Sequence, residues 1–222
     1  MSLAARAVAT RGGPRPWLKP AVFVAALAPL ASVLLQASRG ALGANPVSEA
    51  LNRLGLTALV FLLASLACTP AREVLGWVWT IGLRRMLGLF AYFYACLHFA
   101  TYAIVDQSLR WKAIVADVMK RPFILSGFAA FLLLTPLAAT STANAVRRLG
   151  FPRWKRLHRL VYAAGALAAF HFWLRVKKDV REPAISATVL AVLLLARGVV
   201  WARDRRRLER AAPRPKAAPT VD

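Results

Sequence analysis

Three histidines, His98, His158 and His171, stand in or at the edge of long apolar runs, whereas all nine carboxylates fall at the ends of those runs or outside them. That contrast points to a chemistry. Ion-coupled pumps and carriers need acids at mid-depth in a membrane, and this chain offers none there. A neutral imidazole with no carboxylate beside it suits haem iron, to which it lends an axial lone pair at little desolvation cost. Taken singly, a histidine in a span joins helices by hydrogen bonding more often than it binds metal. Depth separates the two roles. His98 and His171 are expected at one level on two helices, where they could grip one iron from both sides. His158 lies about 20 Å further along the His171 helix, near the opposite face, and has no second imidazole at its level. It is the candidate ligand of an inner haem.

Arg84 and Arg85 open the run that carries His98. Guanidinium groups there could clasp a haem propionate or a flavin phosphate in bidentate fashion, or they could simply hold the chain at the headgroup layer. Arg147, Arg148, Arg153, Lys155 and Arg156 extend the same basic rim, for which anchoring is the better reading. Aromatic residues such as Phe90, Tyr92, Phe99, Tyr102 and Phe172 crowd the histidine-bearing runs and could pack on a porphyrin or fill a bundle. Trp17, Trp77, Trp79, Trp111, Trp154 and Trp201 sit near run ends, as in an interfacial belt.

The elements that must position these groups follow from composition. Of 222 residues, 59% are hydrophobic, against about 45–50% in soluble domains. A hydrocarbon layer about 30 Å thick takes about 20 helical residues, and helices pair their own backbone groups. The runs predict an all-α integral membrane protein, a bundle of six transmembrane helices over about 17–37, 51–69 (ending at Pro70), 82–105, 123–139 (with Pro136 as a tolerated kink), 154–174 and 184–201. Arg159, Arg175 and Arg197 must snorkel. The excess of Lys and Arg falls in the segments on the side of the N-terminus, so both termini are expected in the cytoplasm. A basic N-terminal segment (1–16), a transmembrane haem-binding domain (17–202) and a basic, Ala/Pro-rich disordered tail (203–222) complete the organisation. The first run is too long for a signal-peptide core and is read as a retained span.

The formal charge of +22 is distributed between apolar runs, which points to lipid surfaces rather than nucleic acid. Cys68 and Cys96 lie inside apolar runs and imply neither a disulfide nor a cysteine metal site. The stretch after Trp201 is too short for a flavin/NAD(P)H module, so a redox protein of this size is expected to borrow both donor and acceptor. The connection from Asp106 to Arg121 is the longest on the outer side and a candidate docking surface.

Several of these residues also form an ordered set. Arg84-Arg85-Met86-Leu87-Gly88-Leu89 with Tyr94 and His98, then Arg121-Pro122, Thr135-Pro136-Leu137-Ala138, Thr140-Ser141, the stretch from Trp154 to Tyr162 that contains His158, and His171-Phe172-Trp173, resemble the MsrQ (YedZ) family from about Leu51 to Lys178. The resemblance implies a ferric-reductase-like transmembrane domain binding haem b, with FMN also associated. It further implies the bacterial inner-membrane subunit of a system that repairs methionine sulfoxide in periplasmic proteins. That subunit would pass electrons from the quinone pool, or a cytosolic flavin reductase, to the periplasmic molybdoenzyme MsrP, and would not itself be the catalytic subunit. His98, His158 and His171 match the family's histidines. Related oxidases have a second histidine on the third helix where this chain has Arg84 and Arg85, so the sixth ligand of an inner haem stays open. The rival readings are a stand-alone ferric or small-molecule reductase and a non-redox transporter or assembly factor.

Overall fold

Backbone N–H and C=O groups in lipid must be paired within the protein, which helices achieve within one segment, and the computed structural model, which describes residues 16–176 and 179–211, is built that way: among the described residues there are helices, turns and no strand. Helix α1 is Leu18–Ser38 and α2 is Pro46–Leu75. A short 3₁₀ turn, Val78–Thr80, leads into α3, Ile81–Ala100, which runs on as a π-helical turn, Thr101–Asp106. Then follow α4 (Trp111–Lys120), α5 (Pro122–Ala139), α6 (Ala143–Leu149), α7 (Phe151–Leu157), α8 (Leu160–Arg175) and α9 (Arg181–Ala211). The basic segment before Pro16, Lys177 and Lys178, and the tail after Ala211 lie outside the described residues.

Five stretches are long and apolar enough to cross a membrane: Leu18–Ser38, Pro46–Leu75, Val78–Asp106, Pro122–Ala139 and Arg181–Arg203. The expected fifth span is not one helix. It breaks at His158 and Arg159 between α7 and α8, and α8 has 16 residues, about 24 Å of rise. A basic, Pro-containing α7 (Phe-Pro-Arg-Trp-Lys-Arg-Leu) precedes the break and is tied to the end of α5 by Trp154 Nε1, which donates to Thr140 O at 3.0 Å.

Two other boundaries move. The second helix does not stop at Pro70 but continues to Leu75. Pro70 removes one donor, that to Leu66 O, a loss a packed membrane helix tolerates; beside it, Thr80 Oγ1 is shared between the Trp77 and Cys68 carbonyls at 2.7 and 2.9 Å. The last helix runs beyond Trp201 to Ala211, since its Arg, Leu and Glu residues are good helix formers and need no lipid.

Cross-helix contacts fix the arrangement. Ser65 Oγ donates to Arg84 O at 2.9 Å, and His98 Nδ1 meets Leu51 O at 2.9 Å, so α2 and α3 run antiparallel in strict register. Tyr92 reaches Thr135 and Phe99 stacks on Phe131 at 5.2 Å, which sets α5 antiparallel to α3. The near end of the bundle holds the start of α1, the end of α2 and the start of α8. The far end holds the start of α2, the end of α3, the start of α5 and the end of α8. The core lies between α2, α3, α5 and α8, where Leu62, Ala91, Leu134 and Ala164 form one cluster and Leu59, Leu63, Leu66 and Ala169 meet Leu190 of α9 in another. Outward faces are apolar too: Phe23, Val24 and Leu34 of α1 and Val192 and Leu195 of α9 are exposed, as suits helices whose solvent is lipid.

Tyr94 ties α1 to this core. Its fully buried hydroxyl donates to Ala26 O at 2.7 Å and accepts from Leu30 N at 3.2 Å. The phenol thus bridges one rung of the α1 ladder beside Pro29.

Candidate functional site

Two of the three histidines meet. The rings of His98 and His171 stand 6.2 Å apart, centroid to centroid, and at 82° to each other. Each uses Nδ1 on a backbone carbonyl of the opposite helix: His98 on Leu51 O of α2 at 2.9 Å, and His171 on Phe123 O of α5 at 2.5 Å. A carbonyl only accepts, so both Nδ1 atoms carry the proton and both Nε2 atoms keep a lone pair. This is the usual outer-sphere support of a metal-binding histidine.

The sequence provides for this close approach with glycine. A Cβ on Gly127 would lie 2.6 Å from His171 Nδ1, and one on Gly55 would lie 3.0 Å from His98 Nδ1. Gly55 is one helical turn after Leu51, and Gly127 is one turn after Phe123. Each imidazole therefore sits in a notch whose floor is glycine and whose acceptor is the carbonyl a turn earlier. The carbonyl has a second lone pair for this purpose.

Between and beyond the rings is a cavity of about 410 Å³, within the range of roughly 300–1,000 Å³ usual for small-molecule and cofactor sites. Phe99, Phe128, Phe131 and Phe172 line its interior, and Asn45, Ser48, Asn52, Asp117, Arg121 and Arg175 line its far-end mouth. The ring spacing is the decisive test of what fits. A first-row metal binds an imidazole nitrogen at about 2.0–2.1 Å, and the ring centre lies a little over 1 Å behind that nitrogen. Two rings on opposite sides of one ion are thus about 6 Å apart, as here. Among the described residues no group of three or more His, Cys, Asp or Glu could enclose an isolated ion. Two neutral imidazoles beside an aromatic-lined slot would suit an iron porphyrin, which needs only two ligands from protein.

His158 is elsewhere. It caps α7 at the near end, with its ring 4.1 Å from that of Trp154 and Nε2 3.1 Å from Thr140 Oγ1. Thr140 gives its own proton to Pro136 O at 2.6 Å, so it accepts from His158, whose proton is on Nε2. The tautomer is the reverse of that at His98 and His171. The arginine pair divides as well. Arg84 is partly buried and donates to Thr69 Oγ1 at 3.3 Å, while Arg85 is exposed. Arg84 shares the near end with Arg197, close enough for their charges to repel. Arg197 lies over the Tyr162 ring at 5.2 Å, and its Nη1 is buried without a hydrogen-bond partner.

Sequence reasoning missed Gly55, Gly127, Asn52 and the two carbonyl acceptors, and treated Arg175 only as a snorkelling charge. Glycine inside an apolar span is a signal of close approach, and an arginine one turn after a histidine shares its face. Neither signal names its partner without the packing.

Residues 51–169 match the family described as "Ferric reductase like transmembrane component". The Deinococcus radiodurans protein named "Protein-methionine-sulfoxide reductase heme-binding subunit MsrQ" is 52% identical over 190 residues, which cover 86% of this chain and 94% of that one. The chain belongs to the MsrQ family. A Rhodospirillum rubrum protein of the same name is 52% identical over 84% of this chain and 89% of its own length, and one from Herminiimonas arsenicoxydans is 48% identical over 85% and 87%. Membership in MsrQ makes the chain a membrane protein with a ferric-reductase-like transmembrane domain. The match spans both carbonyl acceptors and His98 and His158, but stops at Ala169, two residues short of His171. The MsrQ relatives cover that remainder.

Proposed function

We propose that this chain is the haem b-binding, electron-transferring subunit of a methionine-sulfoxide reductase system, with His98 and His171 as the residues that would hold the haem iron. The observation that carries the reading is the pair of imidazoles 6.2 Å apart, each with Nδ1 tied to a carbonyl and Nε2 free to face iron. The names of the MsrQ relatives support the same cofactor and the same system. When bound, haem supplies a one-electron couple in a medium where free charge is costly. The chain's residues do the rest. Gly55 and Gly127 let the imidazoles reach their carbonyls, the carbonyls fix the tautomer and raise ligand basicity, and Phe99, Phe131 and Phe172 keep water from the slot.

In this reading α7 and α8 together complete a sixth crossing of the bacterial inner membrane, with both termini in the cytoplasm, as the distribution of Lys and Arg favours. The donor is the quinone pool or a cytosolic flavin reductase, with FMN as a family-implied carrier, and it meets the near end. His158, held by Thr140, and Arg84, held by Thr69, stand at that end. The acceptor is an MsrP-like periplasmic molybdoenzyme at the far end, nearest the His98–His171 pair.

The test is the purified chain's optical spectrum with haem and flavin quantitation, followed by reduction and mixing with an MsrP-like partner. A low-spin bis-histidine b-type spectrum and reoxidation by the partner are expected. A colourless, iron-free preparation would end the redox reading. Reoxidation by iron chelates but not by the partner would favour a stand-alone ferric reductase.

A further inference from the structure

Resting on the haem reading above, the mouth of the cavity decides which way the cofactor faces. Protohaem has one apolar edge and one edge with two propionate carboxylates, and carboxylates at membrane depth need cationic or N–H partners. The cavity walls are apolar through the interior, and polar groups gather only at the far-end mouth. Two of them are unsatisfied. Asn52 ends in a buried Oδ1 with no hydrogen-bond partner, and its amide nitrogen, engaged by no described residue, is the donor it offers at the mouth. Arg175, one turn after His171, makes no hydrogen bond or ion pair with any described residue. Glu49 is near enough to attract it but is held by Arg53 Nε at 2.6 Å.

The alternatives around the mouth are already engaged. Arg53 also donates to Gln36 at 2.8 Å, and Arg121 pairs with Asp117 at 3.2 Å. Asp117 in addition accepts from Tyr102 at 3.1 Å. The mouth is therefore acidic on its α3–α4 side, where Asp106 and Asp117 would repel a propionate, and short of an anion on its α2–α8 side. Arg84, at the other end of the bundle, is spent on Thr69 and does not line this cavity.

The geometry points to Arg175 and Asn52 as the residues that receive the haem propionates, so that the cofactor stands with its carboxylate edge at the far mouth and its apolar edge in the bundle. Arg175 is the anchor, since a guanidinium forks to a carboxylate, and Asn52 adds a neutral donor.

The experiment compares protohaem with its dimethyl ester, in which both carboxylates are blocked, in titrations of the full chain produced without haem. The wild type is expected to bind protohaem about tenfold or more tighter than the ester, the range of a charge-assisted hydrogen bond. Arg175→Met should weaken protohaem by that factor, leave ester affinity unchanged and erase the preference; Arg175→Lys should keep part of it. Asn52→Leu should reduce the preference by a smaller factor. Unchanged ester binding shows that each variant is folded. A full preference surviving in Arg175→Met and Asn52→Leu overturns the assignment, as does a preference lost in Arg84→Met instead, which would turn the carboxylates to the near end. His171→Ala separates the two levels: if it binds both compounds as the wild type does, the ligand reading fails, whereas if it binds neither while Arg175→Met keeps its preference, only the propionate assignment fails.

Discussion

The two ends of the bundle treat a histidine in opposite ways. At the far end, His98 and His171 give Nδ1–H to carbonyls of α2 and α5, leaving both Nε2 atoms without a protein partner, and their ring centroids stand 6.2 Å apart. At the near end, His158 sits on a helix break and gives Nε2–H to Thr140. The first pair leaves two ring nitrogens unengaged beside a cavity, and the other histidine has its Nε2 satisfied by a neighbour. The difference lies in what faces each ring. A backbone carbonyl can only accept and so dictates one tautomer, whereas a threonine hydroxyl takes its role from its own next partner, here Pro136 O. The near end has instead two guanidinium groups, Arg84 and Arg197, close to each other.

The contrast breaks most decisively at the ligands. His98→Ala and His171→Ala are each expected to remove essentially all of the far-end haem absorbance, with His158→Ala sparing it. Equal losses in all three, measured by pyridine haemochrome content, would erase the distinction between the ends.

Next are the glycine notches. Gly127→Ala places a methyl 2.6 Å from His171 Nδ1, where Gly55→Ala places one 3.0 Å from that of His98. Overpacking of this kind costs about 1–3 kcal/mol. Haem occupancy and the thermal midpoint should fall in both variants, more in Gly127→Ala, and the reverse order would show that the α5 notch is not the tighter one.

A smaller effect is expected at the near end. Thr140→Val removes the acceptor of His158 and the donor to Pro136 O at an estimated cost of about 1 kcal/mol. Stability in a denaturant series should drop while the His98–His171 spectrum stays unchanged; a shifted Soret band would reveal coupling between the ends. The smallest change is predicted for Tyr94→Phe. Ala26 O and Leu30 N can close their own helical bond once the bridging hydroxyl is gone, so about 1 kcal/mol or less is expected, with normal haem content. Loss of haem in this variant would show that the α1 attachment helps to shape the slot.

Much of this was legible in residue order. Hydrocarbon gives a polypeptide few options, so apolar runs of span length became helices, and α1, α3 and α5 begin and end within a few residues of expectation. Depth was legible for the same reason: rise per residue in a helix is constant, so residues 98 and 171 were expected to share a level, and they do. Boundaries governed by local hydrogen bonding were less visible. Pro70 looked like a stop because a residue pattern does not show that the packed helix tolerates one missing N–H, and α7–α8 looked continuous because apolar content does not register the two-residue turn at His158 and Arg159.

Sequence alone determined that imidazoles on two helices share one level, since residue type and helical rise fix both. Tertiary structure alone decided which way each ring points, which tautomer it holds, and which arginine is left without a partner. Those properties depend on angles about the helix axes and on acceptors supplied by neighbouring helices. A linear pattern does not encode rotation between helices, and the packing of α2, α3, α5 and α8 does.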